Sequence, residues 1–556
     1  MMDDSQTALR FKWLYAFIGL AVLVNFSGLW VTIIGPDGAL YASIAKTMAI
    51  NNNFSDLYVE GKDWLDKPHF PFWLAAISFK IFGISTWAYK LPAVLMVMVG
   101  AVYTYLFAKS LYNKETGLWA VLILLTAEHL IISNTDVRAE PYLTGLIIAS
   151  VYHFYKALGH KWFWPLVFGS VFASCAVMTK GIFALIPVFG AIAGHLIITK
   201  QWSLLFNYRW LIAAALVLLF MLPELWSLYQ QFDAHPEKVI FGRTGVSGLQ
   251  FFFWDSQFGR FFNTGPIKKA SGDPFFFLHT TLWAFLPWCI LFYVAVVKFV
   301  RQHFRKPQAA HWYNLGGAAL TFIIFSASKF QLPHYITIIF PFFAILTAQY
   351  IYTLQRAGSS KAIQVTQLLI ICLMMVAIGA LNFYFQPEGV SLSTIVLLIL
   401  AVVLIVITTL SRHQGSYKIY FQSAAVVLFV NLYFNLVYYP QLTTYQADSE
   451  AAFYLNTHNP EKLPVVKVIN GYSYAIDFYS HEPLIYYRIG QDNELPERPF
   501  LLFGESEAIS QLAATGLHGA VVKTFKRYPI TRVKGAFLHH QTREQTLGSS
   551  QLILIK

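Results

Sequence analysis

Long apolar stretches alternate with short polar ones over most of this chain, and the lengths of the apolar runs set the first expectation. A helix needs about 20 apolar residues to cross a bilayer. Runs of that order lie near 13–34, 90–112, 117–133, 141–157, 162–178, 180–199, 208–229, 274–300, 311–327, 334–354, 362–383, 391–411 and 417–438. They predict an α-helical polytopic membrane protein with about thirteen transmembrane helices. The aromatic-rich segment 70–82 is too short to span and is expected to be interfacial or to lead into the second span. Two polar stretches are long, 35–89 and 230–273, and predict loops with interfacial helices on one face of the membrane. In the first, Leu40, Ile44 and Met48 stand four apart, a stripe that suits a helix lying along the membrane surface.

After about residue 440 the pattern changes. Apolar runs shorten to strand length at 464–469, 483–489, 499–503, 519–525 and 551–555, with helical patterns at 450–457, 472–479 and 505–514. A membrane domain over 1–440 is therefore expected to be followed by a small soluble α/β domain over 441–556. This tail carries no phosphate-binding glycine fingerprint and no metal motif. It is expected to stabilise the membrane part or to cover a substrate.

Composition agrees with the pattern. Of 556 residues, 56% are hydrophobic and 12% charged, against about 25% charged in ordinary soluble domains. Cys175, Cys289 and Cys372 all lie in apolar runs, so neither disulfides nor cysteine metal sites are expected. The first apolar run is too long for a signal-peptide core and is expected to be an uncleaved first span. The net charge of +12 suits helix orientation and anionic lipid headgroups better than nucleic acid, which is not an expected partner. Basic residues fill alternate connections: Arg10 and Lys12, Lys109 and Lys114, Lys156 and Lys161, Lys200 and Arg209, Lys298 with Arg301, Arg305 and Lys306, Arg356 and Lys361, and Arg412 with Lys418. The positive-inside rule then places the N-terminus in the cytoplasm. With an odd number of spans, the C-terminal domain lies in the periplasm of a bacterial inner membrane.

That orientation leaves cations on the side where they are normally sparse. Lys67, Arg243, Arg260, Lys268 and Lys269 lie in the two long outer loops, and Arg138, Lys180 and Lys329 in short outer turns. A phosphorylated ligand on the outer face would account for them. Lys67, in Asp66-Lys67-Pro68-His69, could grip a phosphate as a point charge or simply pair with Asp66. Asp37, after Pro36, could act as an acid or base or only cap a helix. Asp136, Arg138 and Glu140 crowd a membrane-boundary turn, where charge is a functional candidate. Asp66 and His69 are too few to define a metal site.

In order, Pro36-Asp37 with Tyr41-Ala42, Asp66-Lys67-Pro68 with Phe72-Trp73, Asp136, Thr179-Lys180-Gly181, and Ser328-Lys329 with Leu332-Pro333-His334-Tyr335 resemble the motifs of the GT-C glycosyltransferases. The likeness is to the branch of the lipid A aminoarabinose transferases and the protein O-mannosyltransferase-related enzymes (glycosyltransferase families 83 and 39), and it covers about residues 10–440. It implies a polyprenyl-phosphate sugar donor, undecaprenyl phosphate in bacteria, with an active site on the non-cytoplasmic face and inversion at the anomeric carbon. The acceptor would be lipid A, another glycolipid, a glycan or a protein. By this resemblance Asp37 takes the place of the catalytic acid of the first loop, Lys67 that of the phosphate-gripping lysine, and Asp136 that of a second acid. Lys180, Arg260 and Lys329 are expected to assist Lys67. Tyr41, Arg138, Arg243, His334 and Tyr335 complete the expected substrate-binding set. No cofactor is obligatory to such a transfer, and a divalent metal stays an open alternative. The sequence departs from the family pattern at Gly38, where a glutamate is common, and at His69, where a second proline is common. The rival expectation is a lipid or sugar transporter or flippase. Against it, ionisable groups cluster in the outer loops rather than at the membrane midplane.

Overall fold

The computed structural model describes residues 4–264, 272–303, 310–357, 361–411, 417–471, 473–491, 495–514 and 516–556. Lys268, Lys269, Arg305, Lys306 and Arg412 lie outside the described residues. Each of the thirteen apolar runs coincides with a helix or a pair of helices. Among the described residues, eight helices are long and apolar enough to cross a membrane, or nine if one bent pair is a single span. The expected count of thirteen is thus not reached by length and composition alone, because several runs are divided. The run at 180–199 gives a short apolar helix, Ile186–Ile198, and that at 208–229 divides into Arg209–Phe220 and Leu222–Leu228.

The bent pair matters for the site. Lys114–Leu125 and Glu128–Thr135 meet at 53°. The break is held from outside: the Trp288 indole donates to Thr126 Oγ1 at 3.0 Å, and the Glu128 N–H donates to the Leu286 carbonyl at 3.1 Å. A helix can break at membrane depth when neighbours satisfy the freed groups. The consequence is that Glu128–Thr135 ends on Asp136. The next helix, Glu140–Ala157, lies so close to Thr86–Leu111 that a Cβ at Gly145 would overlap the Met96 carbonyl. Small residues at such contacts let membrane helices approach closely.

The helix Asp37–Asn51 follows the first span and is buried on more than one face, with Ala42, Ile44, Ala45, Met48 and Ala49 all covered. It therefore does not lie half-exposed on a membrane surface as its Leu40/Ile44/Met48 stripe suggests. Phe70–Phe82 covers one side and the helix Ala475–Tyr479 of the tail covers another. Between the first two of these, β1 (Tyr58–Val59) and β2 (Lys62–Asp63) form a small hairpin. The second long loop is anchored by Phe251 and Phe252, which pack with Leu65, Val177, Met221 and Phe232 in a separate apolar cluster.

The tail forms a five-stranded sheet of β3 (Val465–Ile469), β4 (Leu484–Arg488), β5 (Phe500–Glu505), β6 (Ala520–Arg527) and β7 (Gly548–Ile555), in the order β4-β3-β5-β7-β6. The first three are parallel, and β7 runs antiparallel to β5 and β6. Helices at Ala447–His458, Ala475–Tyr479 and Ser506–Ala514 fall close to where the sequence predicts them.

The sheet is latched to the first loop. Lys467 of β3 is fully buried and pairs with Glu60 at 2.7 Å and Asp477 at 2.6 Å. A buried ammonium is tolerable when paired and hydrogen-bonded in this way. Gln446 accepts from the Gly35 N–H at 2.8 Å and donates to the Ile33 carbonyl at 3.0 Å, while Lys46 donates to the carbonyls of Asp477, Phe478 and Ser480. The backbone entering Asp37 is thereby fixed by the tail.

Candidate active site

Asp37 opens its helix, where the positive end of the helix dipole favours a carboxylate. Its side chain accepts from Arg138 at 2.8 Å, and the other terminal guanidinium nitrogen of Arg138 donates to Asp136 at 2.9 Å. One arginine thus bridges carboxylates from two separate loops. Burial pushes the Asp136 carboxyl up, an effect that Arg138 only partly offsets; the two carboxylates overcome the burial of Arg138 and raise its pKa further. Asp37 remains 45% exposed, so a reactant can reach it.

The departure at Gly38 has a geometric counterpart. A Cβ on Gly38 would lie 3.2 Å from Asp136 Oδ1 and 3.2 Å from Ile33. Asp136 thus lies close against Gly38, and a side chain there would have to push it aside by a few tenths of an ångström. An acid from another turn stands close by instead.

A second group surrounds Asp66. Lys67 pairs with it at 2.5 Å, and Arg260 of the short helix Phe258–Phe262 pairs with its other oxygen. Burial raises the Asp66 carboxyl, but Lys67 and Arg260 together outweigh this and hold it below its usual range. Lys67 is pushed down to about 8, first by burial and then by Arg260, against the pull of Asp66 and Asp37. A third group joins Glu140 to Lys180, with the Lys180 ammonium 3.6 Å above the Tyr335 ring and His334 at 3.8 Å from Glu140. Tyr41 lies within electrostatic reach of all three groups. Burial raises its phenol well above its ordinary value, and Asp37, Asp66 and Glu140 raise it further while Arg260 lowers it. Its ring meets Phe72 edge-on at 5.4 Å.

The structure therefore gathers Asp37, Tyr41, Lys67, Asp136, Arg138, Lys180, Arg260, His334 and Tyr335 into one neighbourhood. Arg243 and Lys329 are not gathered in. Arg243 is exposed in a turn closed by backbone bonds to Ile240, and Lys329 is exposed while its N–H donates to the Phe261 carbonyl. Among the described residues no ion pair links either side chain to the cluster. Asp66 and Glu140, which the sequence reading noted but did not place in the site, are the ionic partners that hold its cations. A carboxylate next to a lysine or a proline at a membrane boundary was the available signal. His69 is committed elsewhere: fully buried, it contacts Glu224 through its N–H and Nδ1, both at 3.0 Å, and the Ser55 carbonyl through Nε2. Among the described residues, no group of three or more His, Cys, Asp or Glu side chains is arranged to hold a metal ion.

Two cavities adjoin the cluster. One, about 70 Å³, is lined by Lys180, Arg260 and Tyr335 with Phe183, Phe261 and Phe330. The other, about 280 Å³, is lined by Asp136, Arg138, Glu140 and His334 from the membrane part and by Ile530 and Thr531 from the tail. Pockets with mostly apolar walls and a few convergent polar groups are the usual form of ligand sites.

Comparison with known proteins agrees with this picture. Residues 66–226 match the model of the dolichyl-phosphate-mannose-protein mannosyltransferase family. An uncharacterised protein of Aquifex aeolicus is 26% identical over 399 residues, 70% of this chain and 73% of its own length. The undecaprenyl phosphate-α-4-amino-4-deoxy-L-arabinose arabinosyl transferase of Erwinia tasmaniensis is 26% identical over 396 residues, 70% of this chain and 67% of its own. The crystal structure of ArnT from Cupriavidus metallidurans bound to undecaprenyl phosphate superposes with a TM-score of 0.74 at 17% identity, covering 98% of both chains. The superposition shows the fold, including the sheet of the tail. The chain is thus similar in fold, over nearly its whole length, to ArnT of Cupriavidus metallidurans, and in sequence, over 70% of its length, to an undecaprenyl phosphate-α-4-amino-4-deoxy-L-arabinose arabinosyl transferase.

Proposed function

We propose that this chain transfers a sugar from a polyprenyl-phosphate donor to an acceptor on the periplasmic face of a bacterial inner membrane, with inversion. The observation that carries the reading is the sharing of Asp66 between Lys67 and Arg260, beside an aromatic-walled pocket and facing the Asp37–Arg138–Asp136 bridge. Two cations held by one carboxylate keep an unspent positive charge, which suits a lipid phosphate. Lys67 and Arg260, with Lys180 beside them, grip that phosphate and stabilise the charge it gains as the bond from the anomeric carbon to the phosphate oxygen breaks. The acceptor oxygen attacks the opposite face of that carbon. When the acceptor is a hydroxyl, its proton passes to Asp37 as general base. When it is already an ionised phosphate, Asp37 orients it through Arg138. Arg138 and Asp136 position Asp37. The basic connections support a cytoplasmic N-terminus and a periplasmic tail.

The named relatives suggest undecaprenyl phosphate-4-amino-4-deoxy-L-arabinose as the first donor to try, and the motif resemblance suggests lipid A as the first acceptor. Purified protein incubated with radiolabelled donor and acceptor is expected to release undecaprenyl phosphate and label the acceptor. Asp37→Asn and Lys67→Ala are each expected to lower transfer by about 10²–10³ with normal expression. Transfer near the wild-type rate in both variants would overturn the assignment of these residues.

A further inference from the structure

His69 stands at one of the two places where the sequence departs from the motifs it resembles, two residues past Lys67 with Pro68 between them. It is fully buried, and three bonds hold it. Its N–H donates to Glu224 Oε2 at 3.0 Å, its Nδ1 lies 3.0 Å from Glu224 Oε1, and its Nε2 lies 2.9 Å from the Ser55 carbonyl. A carbonyl oxygen only accepts, so Nε2 carries the proton of that last bond. Nδ1 and Glu224 Oε1 share a further proton, whichever of the two atoms holds it. Glu224 is fully buried as well, and both of its oxygens go to His69. A proline at this position could make none of these bonds, because it lacks both the N–H and the imidazole.

The pair joins the two long outer loops. His69 opens the helix Phe70–Phe82 of the first, and Glu224 lies in the helix Leu222–Leu228 that leads into the second. Further along the second loop, Gln231 accepts from the Leu57 N–H at 3.0 Å and donates to the Leu57 carbonyl and to Asp63, both at 2.9 Å, while Lys238 pairs with Asp63 at 3.0 Å. Those bonds hold the hairpin end of the first loop; His69–Glu224 holds the end next to Lys67. Arg260 comes later in the second loop and closes on Asp66 from the side opposite Lys67. The spacing of the two cations on Asp66 therefore depends on how the loops are tied, and Pro68, with its fixed torsion, passes a shift at His69 on to Lys67. A buried pair is weak evidence for stability, whereas two bonds from one carboxylate to one residue fix a direction. We propose that His69 and Glu224 are positioning residues for the phosphate grip, setting Lys67 against Arg260 without touching the ligand. This inference rests on the glycosyltransfer reading above.

The test measures binding of bare undecaprenyl phosphate to purified full-length protein by microscale thermophoresis, with donor KM and kcat from the radiolabelled assay. Two variants keep the contact. His69→Asn puts its amide nitrogen where Nδ1 lies, and Glu224→Gln keeps an acceptor for the His69 N–H while offering a donor to Nδ1. Two variants break it. His69→Gln puts its amide where Nε2 lies, facing Ser55 and leaving Glu224, and Glu224→Leu fills a similar space without polar atoms. The breaking variants are expected to lose about tenfold in affinity and to raise donor KM about tenfold, with kcat at saturating donor within about twofold of wild type. The keeping variants are expected to stay within about twofold of wild type in all three quantities. Wild-type affinity in both breaking variants would overturn the inference. So would a tenfold loss in either keeping variant, which would mark a packing effect rather than the contact itself; these variants change least and guard against misfolding. Failure of wild type to bind bare undecaprenyl phosphate would instead count against the functional reading on which the inference rests.

Discussion

Two ionic groups in the candidate site mirror each other in sign. At Asp66, one carboxylate is shared by two cations, Lys67 and Arg260; at Arg138, one cation is shared by two carboxylates, Asp37 and Asp136. Each group is nearly neutralised internally, which lets it exist at a membrane boundary where lone charges are expensive. Each nevertheless keeps a residual sign. The difference teaches how, under the proposed function, one site could receive an anion and also handle a proton: the cation-rich end would take the phosphate and the carboxylate-rich end the acceptor. A uniformly basic cleft would do the first task and obstruct the second.

The comparison breaks most severely when one end is emptied. With donor saturating, Asp37→Asn is expected to reduce the rate of transfer by about 10²–10³, read as kcat in the radiolabelled assay. Asp136→Asn leaves Arg138 a single charged partner. It is expected to cost less, about 10–100-fold, in line with the roughly 1.5–3 kcal/mol of a charged hydrogen bond, with the donor KM little changed. Asp136→Asn and Asp37→Asn that fall equally would show that the carboxylates act as one unit. A milder probe is pH. Lys67 is cationic below its lowered pKa of about 8 and neutral above it. Affinity for undecaprenyl phosphate should therefore be flat at lower pH and weaken as pH rises through that value, by about tenfold per unit at most. Lys67→Arg should flatten the titration, because arginine stays charged. The smallest effect sharpens the contrast at its tightest point. Gly38→Ala places a methyl 3.2 Å from Asp136 Oδ1 and is expected to lower kcat by about two- to fivefold through a small displacement of that carboxylate.

The helical architecture and the sheet were legible because apolar run length and strand-length alternation carry them directly. The five predicted strand segments and the three helical ones of the tail all correspond to observed elements. Helix breaks were less legible. Nothing in 117–133 marks the bend at Thr126–Ala127, which depends on Trp288 and Leu286 from a distant segment. Burial of the helix Asp37–Asn51 was hidden for a related reason, since its second cover comes from the tail through Lys46, Gln446 and Lys467. In the site, Asp37 and Lys67 stood out by motif, and Lys180 and Arg260 by being cations on the outer side. The pairing pattern did not stand out. Asp66 reaches Arg260 across 194 positions, and Arg138 reaches Asp37 across 101. Arg243 and Lys329 shared the outer-cation signal but project from turns that leave them exposed. Charge type and sidedness select candidates, whereas only the packing of loops selects partners.

The most direct test of the division between the two ends is the affinity of bare undecaprenyl phosphate for wild type, Lys67→Ala and Asp37→Asn, measured side by side at neutral pH. Division of labour predicts that Lys67→Ala loses about tenfold or more in affinity while Asp37→Asn binds as wild type does. Equal binding by Lys67→Ala and wild type, or an equal loss in both variants, would contradict it.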